Sequence, residues 1–195
     1  MSRARRAAAL TGAGISAESG IPTFRSGATA LWRNYRAEEL ATPEAFARDP
    51  SLVTEWYLMR LQMVRDARPN AGHLALAQIE RCLAARGAGF SLLTQNVDGL
   101  HGEGGSQNVV ELHGNIRTWR CVACGKEQLL DKLCGTNLLR DCGGADFVED
   151  RCGADLYGRP TNERLLPLHC SCGSMLRPGV VWFGETLPPN TWERA

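Results

Sequence analysis

Residues 6–11, RAAALT, are a short apolar run that ends in Gly12-Ala13-Gly14. A run of this length followed by glycines predicts a buried strand that turns into a helix. Ser16 stands where it can cap that helix, and Pro22 cuts it short. Residues 43–66 carry two helical stretches, the second opened by Asp49-Pro50. In that second stretch Leu52, Val53, Trp56, Met59, Met63 and Val64 recur at helical spacing. Pro69-Asn70 is a break. AGHLALAQIERCLAARG (71–87) is an amphipathic helix closed by Gly87, with Cys82 as a small buried apolar residue. FSLLTQNVDGLH (90–101) reads as a buried strand running into a loop, and NVVELHG (108–114) as another short strand. Strands alternating with helices argue for a parallel α/β sheet.

From about residue 119 to 174 periodicity fades, and cysteine, glycine and charge dominate. This predicts a small module inserted in the α/β core. RPGVVWFGE (177–185) then returns as an apolar, strand-like run. The expected division is therefore a core of residues 1–118 and 175–195, with a helical insertion over about 28–68, and a small cysteine-rich module over 119–174.

Composition narrows the function without naming it. The chain has 195 residues and a formal net charge of +1. No electrostatic footprint for nucleic acid or an anionic membrane is visible. The apolar part of the opening segment is only AAAL, too short for a signal peptide. No run approaches the roughly 18 apolar residues of a membrane span. A soluble, cytoplasmic protein is expected.

Seven of the eight cysteines fall between residues 121 and 172, so they belong to one region. Without export signals, a CxxC pair favours metal or redox chemistry. Cys121-x-x-Cys124 and Cys170-x-Cys172 together fit a four-thiolate structural zinc, closed to water. Cys134, Cys142, Cys152 and His169 are rival ligands, read here as side chains of a loose insertion. A redox CxxC belongs at a strand-to-helix junction, which Cys121 does not have. Gly12-x-Gly14-x-x-Ala17, directly after a strand, is a dinucleotide turn in which glycines admit a pyrophosphate. A tight turn with no ligand is an equally good reading of that pattern alone. No acidic residue ends a second strand where an adenosine ribose would need it, which argues against a simple hydride-transfer enzyme.

Five segments taken together resemble one family, and in its order. GAGISAESGIPTFR (12–25), TQNVDGLH (94–101), ELHG (111–114), CVAC (121–124) and LRPGVVWFGE (176–185) look like the sirtuins, the NAD-dependent protein lysine deacylases. The resemblance implies a Rossmann-like parallel sheet with helices on both faces plus a zinc-binding module, the DHS-like NAD-binding fold. It implies His113 as the catalytic base, with Cys121, Cys124, Cys170 and Cys172 holding zinc apart from it. It places NAD at Gly12, Ala13, Gly14, Ala17, Glu18, Thr23, Phe24, Arg25, Gln95, Asn96 and Asp98. Acyl-lysine protein or peptide substrates would pair with Val180, Val181, Trp182 and Phe183. Tyr57 and Arg60 lie at i, i+3 in EWYLMR, on a helix that its apolar neighbours should bury. An arginine there is costly unless it meets an anion, and a Tyr hydroxyl with an Arg fork suits a carboxylate. This Tyr-x-x-Arg is similar to the pair of class III sirtuins, which remove succinyl and malonyl groups, and ELATPEAFARDP (39–50) resembles the same class. An exposed Arg60 paired with Glu55 or Asp66 is the alternative.

Two departures from the family pattern stand out. Forty-five residues, 125 to 169, separate the cysteine pairs. The chain ends at Ala195, whereas a sirtuin core continues with a Gly-Thr-Ser segment and an Asn loop that hold the second ribose and the adenine. A truncated sirtuin acting as an acyl-peptide or ADP-ribose binding module, and an NAD-dependent protein ADP-ribosyltransferase, are the competing functions.

Overall fold

The computed structural model describes residues 5–23, 37–130, 167–189 and 191. Phe24, Arg25, Cys134, Cys142 and Cys152 lie outside them. The chain divides into two compact units. One comprises Met1–Gly27, Met63–Asn115 and Glu185–Ala195, and the other Ala28–Gln62 and Ile116–Gly184.

The first unit is built on a three-stranded parallel sheet in the order β1 (Arg6–Thr11), β2 (Gly89–Thr94), β3 (Val109–Glu111). The register aligns Thr11 with Thr94 and Thr94 with Glu111, so three strands end side by side. After β1 come a one-turn helix α1 (Ala13–Ser16) and a three-ten turn, Ala17–Ser19. Helix α5 (Ala71–Ala84) covers the sheet; Leu83, Phe90 and Leu92 form a core with Ala7, Ala9, Leu76, Ile79 and Val109 around it. Helix α6 (Leu100–Glu103) follows β2.

Three expectations are corrected here. β1 is not a buried strand: it alternates between exposed and half-buried, and Leu10 is 63% exposed. Among the described residues it is an edge strand, of which Ala7 and Ala9 meet the core. Cys82 is exposed, because α5 turns His73, Ala77 and Leu83 inward and 82 falls on the opposite face. The helical segment after β1 stops at Gly20, not Pro22. Gly20 takes φ +85°, the left-handed conformation that closes a helix at little cost only without a Cβ.

The second unit contains α2 (Ala37–Leu40), α3 (Pro43–Arg48) and most of α4 (Pro50–Asp66). Thr42 caps α3 by accepting from the Ala45 N–H at 3.1 Å, and Asp49 Oδ1 accepts from Leu52 N–H at the start of α4. The seven residues Val53 to Met59 are all buried, so α4 is a core helix at its centre rather than a one-sided one. The unit also holds a second sheet in the order β5 (Glu127–Leu129), β4 (Gly114–Cys121), β6 (Leu176–Val180). β4 and β5 are antiparallel. The apolar run after residue 175 thus pairs with β4. Gly179 permits the approach: a Cβ there would stand 2.7 Å from the Thr118 carbonyl oxygen.

Candidate active site and metal centre

In an open parallel sheet, ligands approach the carboxyl ends of the strands, where the next backbone groups are not consumed by the ladder. Here that edge holds Gly12 after β1, Gln95 after β2 and Leu112-His113 after β3. The Gln95 N–H donates to the Thr11 carbonyl at 3.0 Å, and the Leu112 N–H to the Thr94 carbonyl at 2.8 Å, so the three exits stay together. Gly12 has φ −142°, an extended conformation open to any residue, so backbone strain does not require glycine there. Nor does crowding within the protein require it. A Cβ on Gly12 or Gly14 would meet nothing within 4 Å. The turn presents bare backbone to an open volume, as a phosphate-bearing ligand needs.

Three polar side chains close the floor of this edge. Ser16 Oγ donates to Asp98 Oδ2 at 2.7 Å and accepts from Asn96 Nδ2 at 3.0 Å. Because a carboxylate only accepts, the serine hydrogen must go to Asp98, which fixes the Asn96 amide with its nitrogen toward Ser16. Asp98 Oδ1 accepts from Leu100 N–H at 3.0 Å. All three side chains are buried. Ser16 is therefore not a helix cap, as its position in the sequence suggested. No cap bond is made by its hydroxyl, which joins the first strand exit to the second.

His113 is partly exposed, and its Nδ1 lies 3.0 Å from the Gln95 carbonyl oxygen. A carbonyl cannot donate, so Nδ1 carries the hydrogen. The neutral ring then holds its lone pair on Nε2. That is the tautomer a general base needs, oriented by a backbone group. Ala17 and Glu18 are exposed on the three-ten turn and Thr23 is half-buried.

Behind the floor lie two fully buried histidines. The His73 and His101 rings are 4.8 Å apart. His73 Nδ1 accepts from Asn70 N–H, and His101 Nε2 lies 2.9 Å from Thr11 Oγ1. Burial pushes both below the usual histidine range; His73 pushes His101 further, and Asp98 opposes both shifts. Their unfolded-state value is about 6.5. Below that pH the unfolded chain takes up protons that the folded chain refuses. Stability is thus fully present above about pH 6.5 and falls with pH below it, by at most about 1.4 kcal/mol per pH unit per histidine. Imidazole NMR titration should place both midpoints below 6.5, and the melting temperature should drop from pH 7 to pH 5. A midpoint at or above 6.5 for either ring contradicts this.

In the second unit the Sγ atoms of Cys121, Cys124, Cys170 and Cys172 all lie within 4.8 Å of one another. The Cys121–Cys172 pair is 3.5 Å apart and the Cys124–Cys170 pair 3.8 Å. A tetrahedral zinc with Zn–S near 2.3 Å has sulfur–sulfur edges of about 3.8 Å, so the donor set fits that ion. Gly125 (φ +70°) and Gly173 (φ +87°) turn the chain just past each pair. The Cys124 N–H, above all, lowers the Cys121 thiol to about 6. Cys172 is pushed up to about 11: the Ser174 N–H lowers it, but Cys121, desolvation, Cys170 and Cys124 together prevail. A divalent cation relieves that crowding of sulfur charge. His169 stands outside the cluster, in a bridge to Met175.

Elsewhere in the same unit, Tyr57 is buried and its hydroxyl oxygen accepts from Trp182 Nε1–H at 3.0 Å. The Arg60 guanidinium lies 4.8 Å from the Trp56 ring centroid. Burial pushes Arg60 below the usual arginine range, with Tyr57 opposing. The Arg60 side chain itself is half-buried. Trp182 is itself stacked by the buried Arg177, 3.4 Å from its centroid.

A profile of the Sir2 family matches residues 12–195. The chain belongs to the Sir2 family. A relative from Thermus thermophilus, an "NAD-dependent protein deacylase", is 47% identical over all 195 residues of this chain and 65% of its own. This Sir2-family chain therefore spans just under two thirds of that relative's length. A solved "Sir2 homolog–NAD complex" shares 44% identity at a TM-score of 0.71, covering 97% of this chain and 61% of that one. Another, bound to 2'-O-acetyl ADP ribose, shares 42% at 0.74, covering 98% and 64%. The α/β fold expected from sequence is thereby established. Among the described residues no helix of this Sir2-family chain is long and apolar enough to cross a membrane.

Of the expected site residues, Gly12, Gly14, Gln95, Asn96, Asp98 and His113 meet at the strand exits of one unit, and the four cysteines meet in the other. Sequence reasoning missed Ser16 as part of that site. Its one signal was a hydroxyl inside the glycine turn itself.

Proposed function

We propose that this protein is an NAD-dependent protein-lysine deacylase that removes succinyl or malonyl groups, and also acetyl groups, giving nicotinamide and O-acyl-ADP-ribose. The observation that carries this reading is His113. Its Nδ1–H is committed to the Gln95 carbonyl, so Nε2 is left as the base. Bound NAD would supply an electrophilic ribose carbon, once nicotinamide leaves, and the ribose hydroxyls. The acyl-lysine carbonyl oxygen would bond to that carbon as nicotinamide departs; His113 Nε2 would take the proton of one ribose hydroxyl, whose oxygen would receive the acyl group, and with water consumed the lysine would leave as the free amine. Asn96, Asp98 and Ser16 hold the nicotinamide side rigid through their shared hydrogen bonds. The bare backbone at Gly12 and Gly14 takes the pyrophosphate and Gln95 the ribose. The four cysteines hold one zinc and stay outside the chemistry.

The acyl-lysine peptide is proposed to add as a strand along Val180, Val181 and Trp182. Phe183 already gives its N–H to the Ala41 carbonyl at 2.9 Å, which narrows the seat expected from sequence. For the acyl group, Arg60 supports an acidic terminus. A guanidinium drawn partly out of water gains more from a carboxylate than a fully solvated one does. Trp182 donates to the Tyr57 oxygen, which turns the Tyr57 hydrogen away from the indole.

One lysine peptide in acetyl, succinyl and malonyl forms, with NAD, tests this by mass spectrometry. Arg60→Met should lower turnover of the acidic forms by about 10- to 100-fold, the worth of a charge-assisted hydrogen bond, and spare the acetyl form. An unchanged acidic-to-acetyl ratio removes the class III reading. No nicotinamide release from any of the three removes the deacylase reading.

A further inference from the structure

We infer that Asn70 is a positioning residue for the glycine turn, an inference that rests on the proposed use of that turn as the cofactor seat. The Asn70 carboxamide spends both donors on one segment and its acceptor on another. Nδ2 donates to the Ile15 carbonyl at 2.7 Å and to Ser19 Oγ at 2.9 Å. Oδ1 accepts from the N–H groups of Gly72 at 2.9 Å and His73 at 3.4 Å, capping α5. The Asn70 backbone N–H in turn donates to His73 Nδ1.

Capping requires only the acceptor, and serine or aspartate serves as well there. The two donors are surplus to the cap, and both reach back to the segment that follows the glycines. The Ile15 carbonyl belongs to the peptide unit that ends at the Ser16 nitrogen. Fixing that oxygen fixes the peptide plane, and with it the direction of the Ser16 side chain. Ser16 then meets Asp98 and Asn96. Asn70 thus ties the rigid start of α5 to the first link of the nicotinamide-side network, without touching a ligand. Packing agrees. A Cβ on Gly72 would stand 3.1 Å from Asn70 Oδ1 and 3.3 Å from Ile15 Cγ1, so the first turn of α5 lies directly on Ile15.

Asn70→Ser and Asn70→Asp separate the two roles, because each keeps a cap acceptor and loses the amide donors. Hydrogen exchange on the ligand-free protein is the first readout. Ile15, Gly20 and Ile21 N–H groups, bonded to Gly12, Ala17 and Ser16 carbonyls, report on the turn; Leu74 N–H, bonded to the Asn70 carbonyl, reports on α5. Loss of the two bonds should speed exchange in the turn by about tenfold or more in both variants, with Leu74 protection kept. NAD binding by calorimetry should weaken by about tenfold as well. Turn amides that exchange at the parental rate overturn the inference and leave Asn70 a cap. So does an equal loss of protection at Leu74, which would mark general destabilisation. If the parent protein binds no NAD, the proposed function fails, while the exchange data still decide the role of Asn70.

Discussion

His113→Gln should lower the proposed deacylation by about 10²- to 10⁴-fold, the range a positioned general base supplies, while leaving the fold and the zinc content intact. The size follows from tautomer and place. The ring gives Nδ1–H to the Gln95 carbonyl, so only Nε2 can take a proton. Glutamine can keep a donor toward Gln95 but offers an amide in place of the base. The side chain is partly exposed, so little core packing is lost. Steady-state turnover of an acyl-lysine peptide, with zinc determined on the same preparation, checks both halves. Activity within threefold of the parent would remove His113 from the chemistry. Zinc lost with the side chain would make His113 a ligand, against the four cysteines that already complete a tetrahedral set.

What the sequence made legible was local. The apolar run before Gly12, the Asn70 break, the Asp49-Pro50 start and the Gly87 stop are each decided by neighbours within a few residues, and each stands in the structure. The CxxC pair was legible because zinc imposes its own spacing. Features set by distant partners were not. Ser16 looks like a cap until Asp98 and Asn96, some eighty residues on, are seen to claim its hydroxyl. Cys82 looks like a core residue because its helix is amphipathic, yet its face is fixed by which side of α5 meets Phe90 and Leu92. RPGVVWFGE announces a strand but not its partner. That depends on Gly179 meeting Thr118. Asn70 reads as a turn residue, and nothing nearby in sequence predicts that its amide donors reach Ile15 and Ser19.

Removal of the metal should be the largest stability effect. β4 brings Cys121 to its end, the bend after it brings Cys124, and the turn before Met175 brings Cys170 and Cys172. Between the second and third ligands run 45 residues, so the ion joins segments that are distant in sequence. Closing such a loop without the metal forfeits much of the binding free energy, about 10–16 kcal/mol for structural zinc in small peptides. Each 1 kcal/mol moves the melting temperature of a chain this size by about 2–4 °C. Chelation, or Cys170→Ser, should therefore lower it by about 10 °C or more. Trp119 is fully buried on β4, so its fluorescence should shift to the red in the same step. Cys82→Ser is the control. That thiol is exposed and outside the cluster, so it should keep the metal and the parental transition. A chelated protein that melts with the parent, or a Cys170→Ser variant that retains its zinc, would show that the cluster does not hold the unit together.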